Sequence, residues 1–451
     1  MKKYIKIILM LCIVFTASSA SAVEFGDISM GGDVDIHGFI SQGYMKSTNN
    51  NFFAETEDGT SEFSEVGFNL GTDVSDKLHL GIQIFARKLG EFGKGDVEID
   101  WAYGDYRWKD WLGVRAGKMK MPHGLHNATR DVDFLRTNIF LPQSVYNEAW
   151  RDTVSAMQGG ELYGDIYLGG AGSISYQLQG GNSEFPVDSG VATTTSDQTR
   201  LAYLDFEPED YYPDYSAATG LVWTTPLDGL RFSLTGWLVS FTLKGTAVGT
   251  LPSSITGAST INSTLMSGNF EMETRSAEWT GSVEYAIGDL TISGEYSRNN
   301  YDFWAGGKVF ENMKSSTGEL YSSNLNKIAD GITHVELETE GYYGSVSYRF
   351  TDWLEVGTYY SVYYADRDDK DGERNVTEIN RISAGYQDHD AWLKDLCLSF
   401  RFDINQNWVF KLEGHKMDGA AILMKEINYV GDKLQTEDDW YLGAAKLTFS
   451  F

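Results

Sequence analysis

Apolar side chains recur at every second position in sixteen separate segments of this 451-residue chain. Residues 78–87 show the pattern most clearly, with leucine, isoleucine or alanine at most even positions and His79, Gln83 and Arg87 among the odd ones. A period of two is that of a β-strand whose two faces meet different surroundings. The predicted strands are 34–40, 65–74, 78–87, 97–103, 112–116, 157–167, 173–181, 217–224, 230–241, 276–285, 290–298, 340–350, 354–364, 392–402, 408–415 and 439–451.

The connections between these segments alternate between short turns and long polar stretches, such as 182–215, 242–274, 299–338, 365–391 and 416–438. Tight turns at one end and long loops at the other are typical of transmembrane β-barrels. A soluble sandwich of sixteen strands would need two cores, and a solenoid would show a fixed repeat, which the sequence lacks. The pattern therefore predicts an all-β fold, a transmembrane antiparallel barrel formed by residues 23–451.

The start of the chain has the composition of an export signal. Lys2, Lys3 and Lys6 precede an apolar stretch, and Ala20-Ser21-Ala22 matches the small-residue cleavage rule. Residues 1–22 are therefore predicted to be a cleaved signal peptide. After residue 22 one cysteine, Cys397, remains, and no run of 18 apolar residues suggests a membrane helix. The formal net charge of −28 argues against nucleic acid as a partner.

Aromatic residues support a membrane barrel. Tryptophans and a phenylalanine sit beside the short turns, where rings can lie at a membrane interface: Trp108, Trp111, Trp223, Phe350, Trp353 and Trp408. The last strand, residues 440–451, is amphipathic and ends on Phe451. The chain resembles the general trimeric porins of Gram-negative outer membranes in three features: this last strand, the number of strands and the long third loop. The resemblance implies short turns in the periplasm, extracellular long loops, a homotrimer in outer-membrane lipid and passive diffusion of small hydrophilic solutes and ions without a cofactor.

The third loop, residues 118–156, begins as a strand and then loses alternation while it gains charges, prolines and apolar pairs. A long, sticky, charged loop of a large barrel is expected to fold into the lumen and narrow it. From Arg107 to Arg151 eight lysines and arginines face four acidic residues, a basic segment in an acidic chain. The predicted constriction residues are Arg115, His123, His126, Arg130, Asp131, Asp133, Arg136, Glu148 and Arg151.

Strand parity also assigns charged residues to the lumen wall. Predicted inward cations lie on strands that meet when the barrel closes: Arg87, Arg401, Lys411 and Lys446. Predicted inward anions lie on the far side: Glu278, Glu284, Glu295 and Glu355. These charges either form a segregated constriction or simply solvate the lumen, and Arg231 and Arg349 interrupt the acidic side.

The basic segment predicts a constriction that favours small anions such as carboxylates, because a narrow site amplifies local charge. The alternative is that these charges pair internally and pin the loop to the wall. Asp366 to Gly372 resembles part of a calcium loop, but Lys370 breaks the ligand alternation and a surface charge run fits better. The histidines lack metal-ligand spacing, and no nucleophile motif suggests an enzyme. A surface adhesin or binding protein acting through the long loops is the alternative function.

Overall fold

The computed structural model describes residues 34–187, 189–201, 204–251, 264–305, 314–315, 334–374, 385–430 and 433–451. The predicted signal peptide lies outside the described residues. Within them, no helix combines the length and the apolar character that a membrane crossing requires.

Sixteen long strands in this part of the chain form one closed antiparallel sheet, and each pairs with its neighbours in sequence. β1 pairs with the last strand, with Phe39 opposite Ser450 and Ser47 opposite Leu442, and this pairing leaves no sheet edge free. The predicted fold class is confirmed. The strands are β1 (Val34–Ser47), β2 (Phe63–Ser75), β3 (Leu78–Leu89), β4 (Phe92–Lys109), β5 (Leu112–Lys120), β6 (Ala156–Tyr167), β7 (Ser173–Asn182), β8 (Leu204–Thr224), β9 (Leu230–Leu251), β10 (Thr264–Ile287), β11 (Leu290–Ala305), β12 (His334–Thr351), β13 (Leu354–Tyr364), β14 (Trp392–Asp403), β15 (Trp408–Gly419) and β16 (Asp439–Ser450).

Shorter elements occupy the loops. A two-residue strand, Lys314–Ser315, pairs with β10, and Tyr429–Val430 pairs with Lys433–Leu434. The α-helices are α1 (Arg151–Val154) and α2 (Gly190–Leu201). The 3₁₀ turns are Asn127–Thr129, Asp133–Leu135, Glu148–Trp150, Gly169–Ala171, Asp388–Ala391 and Glu426–Asn428.

The outer surface of the barrel carries an apolar belt. Tryptophans at the short turns are about half exposed on this surface, including Trp108, Trp111 and Trp353. Along β3, β7 and β14, most leucines and isoleucines point outward while polar residues point inward; Leu89 and Leu393, near the long loops, are buried inside. Apolar surface exposed around the whole barrel is what a membrane-spanning barrel requires.

Several strands are longer than their alternation predicts. β9 and β10 extend well past the predicted ends at 241 and 276, so much of 242–274 is strand rather than loop. On β9, Leu234 faces outward and is exposed, whereas Phe241 and Leu243 face inward and are buried. The apolar face of β9 therefore changes from the outside to the inside of the barrel between Leu234 and Phe241. Beyond this point the outward residues of β9 no longer follow the apolar pattern that predicts a strand.

Strict alternation over residues 97–103 predicts that Trp101 and Tyr103 face outward together with Val97 and Ile99, and this prediction is wrong for Trp101 and Tyr103. Val97 and Ile99 face outward as expected, but the pairing register with β3 shifts between Ile99 and Trp101. A β-bulge adds one residue and moves the following side chains to the other face. Both rings thus face the interior, where Trp101 Nε1 donates a hydrogen bond of 3.1 Å to Gln83 Oε1.

Loops fill the long-loop end of the barrel with an apolar core. Phe52 and Phe53 of the first loop pack against Phe140 of the third loop, and Phe52 also contacts Trp440 of β16 with ring centroids 5.8 Å apart. Gly90, in the two-residue turn between β3 and β4, has φ +55°, and a Cβ there would lie 2.1 Å from the Phe53 carbonyl oxygen. A second cluster joins α2 to the inner face of β9.

Candidate functional site: the third loop in the lumen

The third loop, residues 121–155, lies inside the barrel and crosses it. Its backbone and side chains contact opposite walls: Gly124 N donates to Thr235 Oγ1 on β9 (2.9 Å), and Arg401 of β14 donates to the Phe134 carbonyl (2.6 Å). Between these points Ser144 Oγ accepts from Ser361 Oγ on β13 (2.8 Å). The loop is thus fixed around most of the circumference, as expected for a segment that narrows the lumen.

One anchor is the carboxylate of Asp133, which is buried. Its Oδ1 lies 3.0 Å from Lys411 Nζ and 3.2 Å from Lys446 Nζ, and its Oδ2 accepts a hydrogen bond of 2.7 Å from Thr448. Burial alone would raise the pKa of Asp133, but the two ammonium groups outweigh burial and hold that pKa well below its usual range. The same lysines, placed inward by strand parity, therefore serve as wall partners of the loop.

A second anchor joins the other side of the loop to β3. Glu148 accepts from Arg130 Nη2 (2.9 Å) and pairs with Arg87, whose guanidinium also lies 3.6 Å from Asp152. Burial opposes ionisation of Glu148, yet Arg130 and Arg87 lower its pKa to about 2. This end of the loop is held by a compact network of alternating charges.

Next to it, Asp131 pairs with Arg151 and with Lys120 of β5 (2.5 Å). Asp100, the residue of the β4 bulge, adds a second carboxylate 2.7 Å from Lys120. The alternation placed Asp100 on the face opposite Val97 and Ile99, but it did not single out Asp100 as a site residue, because alternation gives no sign that Lys120 lies beside this carboxylate.

A third anchor is Glu295 of β11, which collects four donors. Its carboxylate accepts from Tyr146 Oη and Tyr343 Oη at 2.6 Å each, from Ser282 Oγ at 2.6 Å and from Leu125 N at 2.8 Å. Strand parity placed Glu295 inward, but it gave no sign that the two tyrosines would satisfy the carboxylate. Gly341, next to this site on β12, lies so close to the loop that a Cβ would be 1.8 Å from the Ser144 carbonyl oxygen.

The two histidines of the loop lie near this anchor. His123 Nε2 is 2.8 Å from Glu278 Oε1 of β10, and its ring is 5.2 Å from that of Tyr146. His126 packs against the other side of the Tyr146 region, with centroids 5.6 Å apart. Burial lowers the pKa of His126, and the nearby Glu295 only partly offsets this effect. Neutral His126 is therefore favoured.

The remaining predicted charges are paired nearer the short turns. Arg115 bonds Asp105 (2.8 Å) and Glu161 (3.0 Å), and its guanidinium lies 4.1 Å from the centre of the Tyr163 ring. Glu284 pairs with Arg231 (2.9 Å). Glu355 pairs with Arg349 and accepts a hydrogen bond from Thr137, and Arg401 pairs with Asp403. Arg136 donates to carbonyl oxygens of its own loop.

These pairings modify the picture of a basic constriction. Cations lie on β3 and β14–β16 and glutamates on β10–β13, as predicted from parity, but each side also carries counter-charges such as Glu65 and Arg349. Among the predicted cations of the loop, Arg130 and Arg151 are buried in ion pairs. The predicted internal pairing is thus present, and the anion preference stays a prediction.

Cavities lie on both sides of the loop. One of about 250 Å³ lies towards the short turns and is lined by polar groups of the wall and by Val132 and Phe134 of the loop. The other, of about 120 Å³, lies on the opposite side between the loop and α2, and Trp150, Tyr301 and Phe303 line it. In the acidic run on the surface, Asp366 pairs with Arg374.

No protein-family model and no curated protein matches the chain. Solved structures do. OprB of Pseudomonas putida is similar over 93% of this chain and 94% of its own, with 11% identity and a TM-score of 0.50. An anion-selective porin from Comamonas acidovorans (12% identity, TM-score 0.49) and OmpT of Vibrio cholerae (11%, 0.49) cover 93% and 96% of this chain and the whole of their own. At this identity the likeness shows the fold alone: a closed sixteen-strand barrel of the outer-membrane porin type.

Proposed function

We propose that this protein is an outer-membrane channel. Small hydrophilic solutes and ions diffuse passively through its lumen, which the third loop narrows. The observation that carries the proposal is the loop itself, which lies inside a closed barrel and is tied to opposite walls by Asp133, Glu148 and Glu295. A loop that binds an external partner does not need to be attached to the inner wall of the barrel. In this proposal the channel has no enzymatic activity, needs no cofactor and forms a homotrimer in the outer membrane.

The inner wall suits water and polar solutes towards the short turns. Inward positions of β7 are Ser173, Ser175, Gln177 and Gln179, whereas Leu178 points outward. Hydrophilic lining over an apolar exterior is the arrangement of a water-filled barrel channel. The interior near the long loops is more apolar. Because the third loop lies inside the barrel, a solute that crosses the barrel must pass the narrow region beside this loop.

The finer part of the proposal is a preference for small anions, such as carboxylates. Its support is the basic segment from Arg107 to Arg151, within which Arg115 keeps a quarter of its side chain exposed. Arg130 and Arg151 contribute less than the sequence suggests, because Glu148 and Asp131 offset them. Charges within about 8 Å of the path act on a permeating ion before salt screens them.

Purified protein in planar lipid bilayers provides the test. We expect discrete, ohmic conductance steps, and a reversal potential in a KCl gradient that favours chloride. Replacing Arg115 by glutamine (Arg115→Gln) leaves Asp105 and Glu161 without their cation and should move the reversal potential towards potassium. Absence of conductance would contradict the channel and support a surface adhesin, whereas a wild type that prefers potassium would leave the channel intact and refute the anion preference.

A further inference from the structure

Three potential metal ligands of different chemistry meet inside the barrel wall. Cys397 of β14 lies directly opposite His415 of β15, and Glu413 is the next inward residue on β15. All three are buried, and one donor atom from each lies within 4.8 Å of the others. The pairing of two consecutive strands brings Cys397 next to residues that follow it by 16 and 18 positions in the sequence.

His415 is oriented as a metal-binding histidine would be. Its Nδ1 lies 3.0 Å and 3.1 Å from the two oxygens of Asp395, and the Asp395 carboxylate also accepts a hydrogen bond of 2.8 Å from Tyr359 Oη. Metal-binding histidines commonly donate one ring N–H to a carboxylate in this way, which fixes the ring and leaves the other nitrogen free to bind. In His415 that nitrogen is Nε2.

The second nitrogen has no satisfactory partner among the described residues. Nε2 lies 2.9 Å from Glu413 Oε1 but makes no hydrogen bond of acceptable geometry, and the His415 side chain is 1% exposed. If Nδ1 carries the proton shared with Asp395, Nε2 and the carboxylate are both acceptors. Two buried lone pairs at this distance repel each other unless a cation lies between them.

We propose that Cys397, Glu413 and His415 bind a divalent transition-metal ion, for which Zn²⁺ is the best match. Thiolate, imidazole and carboxylate are the ligands that Zn²⁺ takes in proteins. Bonds of about 2.0–2.3 Å place tetrahedral ligands roughly 3.3–3.6 Å apart, so the donor atoms need to move by about 1 Å to close on the ion. Binding replaces the thiol proton of Cys397, which is released to solvent.

The site also touches the third loop. The Glu413 carboxylate accepts the backbone N–H groups of Ile139 and Phe140, and the Phe140 ring lies 6.2 Å from the His415 ring. A metal ion held by Glu413 would therefore stabilise the wall at the point where the loop is attached. The competing explanation is that His415 carries two protons and lies between Asp395 and Glu413 without a metal.

Cobalt distinguishes the two explanations, because a Cys thiolate bound to Co²⁺ gives an intense near-ultraviolet charge-transfer band that a protonated histidine cannot produce. The protein is unfolded in denaturant, freed of metal with a chelator and refolded in detergent with Co²⁺, so burial does not block access. We expect one equivalent of Co²⁺ to bind with this band, and Zn²⁺ to displace it.

The variants separate metal binding from structural damage. Cys397→Ser is a small change that should abolish the band, and His415→Gln should weaken Co²⁺ binding by at least tenfold. His79→Gln alters an inward histidine near the short turns, away from Cys397 and Glu413, and should leave the spectrum unchanged. Absence of the band in refolded wild-type protein, or a band that persists in Cys397→Ser, would overturn the proposal.

Discussion

The Asp133 carboxylate of the third loop lies 3.0 Å from the ammonium group of Lys411 on β15, and the side chains of both residues are almost fully buried. Lys446 lies 3.2 Å from the same oxygen. Removing one partner of a buried ion pair is costly because the remaining charge stays out of water. This pair is therefore where the loop and the wall depend on each other most strongly.

Asp133→Asn keeps the shape of the side chain and removes its charge. We expect a loss of about 3–5 kcal/mol in the free energy of unfolding, because Lys411 and Lys446 lose their shared anion. Urea unfolding in detergent micelles, followed by tryptophan fluorescence, measures it. The matched control is Asp439→Asn, since Asp439 and its partner Lys416 are more than half exposed; its effect should stay within about 1 kcal/mol. Equal effects in the two variants would contradict the anchor.

Acid should loosen the other end of the loop in a defined range. The pKa of Glu148 lies at about 2, below its ordinary value of 4.5, because Arg130 and Arg87 outweigh the effect of burial. A lowered pKa contributes stability that is complete above about pH 4.5 and disappears as the pH falls through about 2. At about 1.4 kcal/mol per tenfold change in proton affinity, the contribution is about 3 kcal/mol.

Glu148→Gln tests this dependence. The difference in unfolding free energy between wild type and variant should be largest above pH 4.5 and should shrink steadily towards pH 2. Comparison with the variant removes the contributions of other carboxylates that titrate in the same range. A difference that does not change with pH would show that Glu148 acts through packing rather than through its charge.

Two neighbouring residues on β7 test the direction of the side chains. Leu178 points outward and is half exposed, whereas Gln177 points inward. Leu178→Lys should cost roughly 2–4 kcal/mol, since a charge near the middle of the lipid face of a barrel costs that much, and Gln177→Lys should cost far less. Refolding into lipid vesicles with a urea titration measures both. Equal costs would contradict the assignment of the two faces.

Much of the barrel could be predicted from the alternation of side chains, because burial on one face only imposes a period of two. Lys411 and Lys446 were placed inward for this reason, and the structure places them there. Asp133 was predicted to lie at the constriction, but its pairing with these lysines could not be predicted, since no periodicity specifies how an irregular loop folds. Trp101 was misplaced because one extra residue in a bulge reverses the parity without changing the composition.

The polar sites depend on which residues strand pairing places side by side. Cys397 and His415 come together through the pairing of β14 with β15, and their spacing along the chain is not that of a known metal-ligand motif. The alternation also predicted loops where β9 and β10 continue as strands beyond the apolar belt. Past Ala277 on β10, towards the long loops, the outward residues become polar, as at Arg275 and Glu273, so they lack the apolar exterior that marks a membrane strand.

The single-channel conductance of a chain with a shortened third loop tests the central claim most directly. In this variant a short glycine–serine linker replaces residues 128–147, which removes the part of the loop that crosses the lumen. The hydrogen bond of Asn127 to the Val154 carbonyl oxygen and the pairing of Glu148 with Arg87 of β3 both remain. We predict ohmic steps several-fold larger than those of the wild type, since the lumen loses its obstruction. Conductance equal to that of the wild type would show that the third loop does not limit the channel and would contradict the account.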